Sequence, residues 1–224
     1  TCSILAHHFA YLVRANRVDP GEACRVATAL MHGIRTDTGD FLTCGPVDFQ
    51  AAALLAPLAS AELSRSIVHM PLGRAFLDTL SAALASTTTH DGLAIAFAGK
   101  VGRRARDTIG QSADFLIRAE GTQTAVVFGL VNGAYVGSLR SSSPTFDPYD
   151  FLDEALSSRL GFPVDCGGRA FAGGFQVALS TVPASDEESA RRLLIDGLVD
   201  TWNRREVALR RQARQVAGRA ARAR

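Results

Sequence analysis

The run Thr124-Ala125-Val126-Val127-Phe128-Gly129-Leu130-Val131-Asn132-Gly133-Ala134-Tyr135-Val136-Gly137-Ser138-Leu139 sets two β-rich stretches on either side of an Asn-Gly pair. A two-residue hairpin loop needs positive φ at both central positions, and Asn-Gly meets that need at low cost. The spacing therefore predicts paired strands at Thr124–Val131 and Ala134–Leu139. Outward from the hairpin, Leu93–Phe97 predicts a short strand, and 107–119 a helix ending at Gly121. Residues 148–160 predict another helix, Phe175–Thr181 a strand, and 185–210 a long helix opened by Ser185-Asp186-Glu187-Glu188. This half of the chain reads as α/β with a mixed sheet.

Upstream the period is helical throughout. Ile4, Leu5, Phe9, Leu12 and Val13 form one apolar stripe. Asp19-Pro20-Gly21-Glu22 announces a second helix, with Asp as N-cap and Pro in the first turn. That helix is expected to stop near Gly33, leaving 33–41 as a polar loop. Residues 48–84 carry helical patterns broken at Pro57 and Pro71. Ser86–Gly92 reads as a linker. The expected organisation is a helical part at 1–88, a smaller mixed-sheet α/β domain at 89–203 and an Arg-rich helical tail at 204–224.

Composition excludes several classes. Of 224 residues, 47% are hydrophobic and 21% charged, which argues against a disordered or fibrous chain. No apolar run reaches the roughly 18 residues of a membrane span. Net charge is +2, but residues 204–224 carry eight arginines and one acid, a local +7 that leaves −5 for the rest. A basic tail on an acidic body is a candidate for contact with nucleic acid or another anionic partner, although for the tail alone a solvated helix end is the favoured reading. Cys2, Cys24, Cys44 and Cys166 are widely spaced with no Cys-x-x-Cys pair, so neither a zinc site nor a disulfide framework is expected, and a cytoplasmic location fits.

Three segments carry candidate chemistry. In Gly33-Ile34-Arg35-Thr36-Asp37-Thr38-Gly39-Asp40-Phe41, a carboxylate among small residues suits a hard divalent cation, or serves as a turn former. In Cys166-Gly167-Gly168-Arg169-Ala170-Phe171-Ala172-Gly173-Gly174-Phe175, paired glycines allow positive φ and expose backbone N–H groups to an anion, while Arg169 adds a bidentate donor. Ser138-Leu139-Arg140-Ser141 puts a guanidinium and hydroxyls at a strand end, where a phosphate is a suitable ligand.

Taken in order, these segments resemble the DHH phosphoesterase superfamily, in particular its oligoribonuclease and 3′-phosphoadenosine-5′-phosphate phosphatase branch. Ala27–Phe41 is similar to the last metal-binding motif of the catalytic DHH domain. Ser138–Ser141 and Gly167–Phe175 are similar to the DHH-associated domain that grips substrate. The resemblance implies the helical C-terminal part of a Rossmann-like DHH domain followed by that associated domain. It implies Asp37 as a ligand of a two-metal centre holding Mn2+ or Mg2+. It implies substrate binding by Ser138, Arg140, Ser141, Gly167, Gly168, Arg169, Gly173 and Gly174 across an interdomain cleft. The reaction would be in-line hydrolysis of short oligonucleotides or 3′,5′-bisphosphonucleotides. A homodimer is a further expectation.

Two departures shape these expectations. The family's Asp-rich motif and Asp-His-His triplet belong upstream of the first helix, so the chain reads as the C-terminal part of a longer protein. His7-His8 reads as ordinary helix, and His32, His69 and His90 match no ligand position. Arg169 stands where the family commonly has histidine; it can hold phosphate but cannot donate a proton at neutral pH. The alternative reading is a non-catalytic nucleotide- or RNA-binding module.

Overall fold

The computed structural model describes residues 1–222, with side chains as far as Ala208. The chain divides into two compact units at Pro71–Leu72. In the first unit the Asp19 carboxylate accepts the N–H groups of Gly21 and Glu22 at 2.9 and 3.2 Å, and Pro20 fills the first turn. Proline costs little there because that N–H lies outside the helix ladder. The helix so capped, α2 (Pro20–Asp37), follows α1 (Cys2–Arg14). It does not stop near Gly33 as expected but runs on to Asp37. Gly33 is a crossing point: a Cβ there would lie 2.5 Å from the Cys2 sulfur. The glycine admits α1, at about 1 kcal/mol of helix propensity.

α3 (Pro46–Leu55) and α4 (Ala61–Val68) are separated around Pro57, and α4 ends before Pro71, as the sequence predicts. Asp48 fastens α1 to the start of α3, accepting the Ser3 hydroxyl at 2.5 Å and the Gly45 N–H at 2.9 Å. Chiefly the Ser3 hydroxyl, then the Gly45 N–H, holds its carboxyl below the usual range. The core of this unit is small, built on Ala6, Ala27, Ile34, Ala51 and Leu55. On α1 the inward face carries Ser3, Ala6 and Ala10, while Ile4, Leu5 and Leu12 of the expected stripe are exposed. Close helix approach selects the small side chains for the inside.

The second unit is a sheet with helices on both faces. α5 (Arg74–Ser86) leads to β1 (Thr88–His90), β2 (Leu93–Lys100), a single turn at Arg103–Ala105 and α6 (Asp107–Leu116). β3 (Thr124–Val131), β4 (Ala134–Ser141), α7 (Pro148–Leu160), β5 (Asp165–Arg169), β6 (Ala172–Ala178) and α8 (Glu187–Arg222) follow. The strand order is β1-β2-β3-β4-β6-β5, with β2 and β3 parallel and every other neighbouring pair antiparallel. Asn132 and Gly133 have φ of 47° and 78°, the hairpin turn that the sequence predicts. Ser86–Gly92, expected as a linker, instead holds the end of α5, an edge strand and a second tight turn at Asp91-Gly92. Its β-branched threonines pair with β2, Thr88 opposite Ile95.

β3 is buried on both faces. On one side Ala83 of α5 and Ile109, Ala113 and Leu116 of α6 pack on Ala96, Ala125 and Val127. On the other, Phe151, Leu152 and Leu156 of α7 and Leu194, Leu198 and Trp202 of α8 cover Val126, Phe128, Tyr135 and Leu139. Glu154 of α7 accepts Arg204 at 3.2 Å and Arg205 at 2.7 Å, stitching α8 down. The tail expected at 204–224 thus spends its first two arginines within the fold; the side chains of 209–224 lie outside the described residues. Among the described residues no helix is long and apolar enough to cross a membrane.

Candidate functional site

α6 packs on β3 and β4. Beyond β4, Gln176 and Ala178 of β6 and Asp165, Gly167 and Arg169 of β5 are exposed. Strand alternation places their side chains on the face that α6 covers at β3. The uncovered part is a tray of about 480 Å³, bordered by Arg106, Asp107, Gly110 and Asp114 along one side.

Register sets its rows. Ser138 of β4 lies opposite Gly174 of β6, which lies opposite Gly167 of β5. One row along, Arg140 lies opposite Ala172, which lies opposite Arg169. The row through Ser138 is therefore a floor with almost no side chain, and the next row brings Arg140 to the tray.

Arg140 is fixed in place. Its Nε donates to Asp114 Oδ1 at 2.5 Å and its Nη2 to Oδ2 at 3.4 Å, while Nη1 donates to the Leu139 carbonyl at 2.9 Å. A guanidinium has five N–H donors. Three are taken, leaving one on each Nη, and that fork matches two oxygens of a phosphate or carboxylate. Gly110 of α6 lies beside it: a Cβ there would stand 3.5 Å from both Arg140 Nη2 and the Ser138 hydroxyl, an ordinary contact distance. Arg106 donates to Gln176 Oε1 at 3.0 Å across the tray.

The expected binding residues divide in space. Ser138, Arg140, Gly167 and Gly174 line the tray. Gly168 and Arg169 line a second cavity, with the 144–149 segment at the start of α7. Ser141 is buried and accepts the Thr124 hydroxyl at 3.1 Å, so it serves the sheet. Gly173 is a packing glycine, where a Cβ would stand 2.7 Å from Pro148 Cβ. Nor do the paired glycines form a positive-φ loop. They lie in the hairpin of β5 and β6, and none of the four has positive φ. They permit close approach, Gly168 to the Tyr149 amide and Gly174 to the Gly137 carbonyl.

Arg106, Gly110 and Asp114 were not singled out from the sequence. A glycine inside the Asp107–Leu116 helix was the available signal, since such a residue there usually has a packing or functional reason.

Cys166 backs the tray from the opposite face of β5. Burial, and then the charges of Asp153 and Asp165, push its thiol up to about 12 from 9.0. The folded state thus holds a proton that the unfolded chain releases above pH 9. Cys166 favours the folded state fully below that point, and the contribution is lost as pH rises toward 12. At pH 8 iodoacetamide is expected to alkylate Cys166 more slowly in the folded protein than in guanidinium. Equal rates in the two states, followed by peptide mass spectrometry, would contradict this.

Asp37 ends α2 in the first unit and is exposed. Asp40, three residues on, is ion-paired with Arg35. Asp40 and Phe41 both have positive φ, so the turn after Asp37 is strained. A two-metal centre needs several oxygen or nitrogen donors per ion. Among the described residues no group of three or more His, Cys, Asp or Glu side chains is placed to hold a metal. Asp37 alone does not complete the manganese or magnesium centre that the resemblance implies. His7 and His8 are exposed residues of α1, as read from the sequence. All four cysteines are free.

No protein-family model matches the chain. It is similar to an uncharacterized protein of Methanocaldococcus jannaschii, 28% identical over 201 residues, which cover 88% of this chain and 39% of that protein. Among solved structures it overlays on an exopolyphosphatase-related protein from Bacteroides fragilis with a TM-score of 0.59 at 14% identity, over 85% of this chain and 54% of the other. A weaker overlay, TM-score 0.40 at 11% identity, is with a DHH domain from a member of a family of ribosomal proteins, over 78% of this chain and 41% of that one. The chain spans about two fifths of its curated relative and about half of the exopolyphosphatase-related structure. Its mixed α/β fold is the one seen in that exopolyphosphatase-related protein.

Proposed function

We propose that the chain is the substrate-gripping part of a DHH-superfamily phosphoesterase, acting on short oligonucleotides or 3′,5′-bisphosphonucleotides. The tray carries the reading, through the open fork of Arg140 above the glycine floor with the Ser138 hydroxyl beside it. A terminal phosphate needs a fixed guanidinium, a neutral donor and close approach to backbone, and these three meet there. The similarity in fold to an exopolyphosphatase-related protein accords with a phosphate ligand. The test is the full-length protein with manganese or magnesium on a 3′,5′-bisphosphonucleoside and a dinucleotide. Release of phosphate or mononucleotide is the expected result, and no release with either metal would overturn the enzymatic reading.

The second reading is a non-catalytic nucleotide- or RNA-binding module, and Arg169, which can hold phosphate but cannot donate a proton at neutral pH, favours it. On that reading the ligands bind the chain with full occupancy and are recovered intact. The Arg-rich tail adds a minor proposal, RNA contact by 204–224; deletion of 209–224, which spares the pairs of Arg204 and Arg205 with Glu154, should then lower the salt dependence of RNA affinity.

A further inference from the structure

The single turn Arg103–Ala105 sets Arg103 and Arg104 three and two residues before Arg106, and all three are exposed. Arg106 borders the tray itself and is held there by Gln176. Elsewhere in the second unit most described cationic side chains are spent on carboxylates: Lys100 on Glu187, Arg140 on Asp114, Arg159 on Asp196 and Asp200, Arg191 and Arg192 on Glu188. Among the described residues no carboxylate pairs with Arg103, Arg104 or Arg106. Three unpaired guanidinium groups within four residues repel one another, an arrangement that a bound polyanion relieves. With one phosphate taken by the Arg140 fork on the proposed reading, the charge left over in the turn before Arg106 suits a ligand with further phosphates.

We infer that Arg103 and Arg104 form a second anion subsite continuous with the tray, so that the ligand is a phosphate chain rather than a lone phosphate. The inference rests on the tray being the phosphate site. A nucleotide chain and linear polyphosphate share the chemistry, and the test separates them. The chain is titrated with AMP, with 5′-phosphorylated tetra-adenylate and with linear polyphosphate of similar charge, over a range of salt. AMP binding reports the tray, and the gain from AMP to the longer ligands reports the new subsite.

In Arg103→Ala/Arg104→Ala the affinity for the longer ligands should fall about tenfold and the salt slope by about 1, with AMP affinity unchanged. Arg118→Ala, removing an exposed arginine at the far end of α6, is the control. A loss confined to tetra-adenylate assigns a nucleotide chain, and one confined to polyphosphate assigns the inorganic chain. If the double variant matches Arg118→Ala for both long ligands, the subsite is overturned while the tray stands. If AMP and the long ligands all fail to bind the unaltered chain, tray and subsite fall together.

Discussion

Gly197→Ala should destabilise the second unit by about 2 kcal/mol, even though the change improves helix propensity. Glycine in a helix interior costs roughly 1 kcal/mol relative to alanine, so propensity alone predicts a gain. Gly197, however, lies where α8 crosses α7. A Cβ there would stand 2.4 Å from the Ala155 carbonyl oxygen and 3.3 Å from Arg159 Cβ. The obstacle is helix backbone, which has no alternative rotamer, so the two helices must part. Overpacking of this kind costs typically 1–3 kcal/mol, and parting also stretches the Glu154 and Arg159 ion pairs between the helices. For a unit of this size the midpoint of thermal unfolding should drop by roughly 4–8 °C. Gly110→Ala is the internal control: the nearest atoms stand 3.5 Å away, ordinary contact, so propensity should prevail and the midpoint should rise slightly. A rise in both variants would contradict the packing drawn here for α7 and α8.

The second large effect is on binding. Arg140→Ala should lower affinity for a terminal phosphate about 100-fold. Two charge-assisted hydrogen bonds are lost, each worth about 1.5–3 kcal/mol, against 1.4 kcal/mol per tenfold in affinity. Arg140→Lys restores the charge but not the fork, and should recover only part of the loss. Stability should change little, because Asp114, left without its partner, remains largely solvated. Isothermal titration with adenosine 3′,5′-bisphosphate at one fixed salt concentration measures all three proteins. Equal affinity in the lysine and arginine forms would show that Arg140 acts as a point charge and not as a fork.

Much of the second unit was legible because its signals are local. Asn132-Gly133 sets its own hairpin, and Asp147-Pro148 opens α7 with the side chain of Asp147 capping two amides. The departures at Gly33 and in the 167–174 segment share a cause, which is that glycine signals two different things. At Gly33 and along 167–174, glycine suggests a stop or a loop when only the chain is visible. In the folded protein it marks a place where something presses close: the Cys2 sulfur at Gly33, Pro148 at Gly173. Those neighbours are distant in sequence, so no local pattern reveals them. The division of the binding residues has the same origin. Ser138 and Ser141 look alike in Ser138-Leu139-Arg140-Ser141, but a strand alternates its faces, so Ser138 lines the tray and Ser141 is buried against Thr124. The carboxylate partner of Arg140, Asp114, comes from α6, 26 residues earlier in the chain.

The central claim is that the uncovered half of the sheet, under Arg140 and over the Gly167–Gly174 floor, takes the phosphate. Amide chemical-shift mapping of the isotope-labelled chain with adenosine 3′,5′-bisphosphate tests it most directly. Saturable shifts are expected at Arg106, Gly110, Ser138, Arg140, Gly167 and Gly174, with saturation in Arg140→Ala displaced to about 100-fold higher ligand concentration. Shifts confined to the second cavity at Gly168, Arg169 and Asp147, or saturation of the tray shifts at the same ligand concentration in the Arg140→Ala protein, would contradict it.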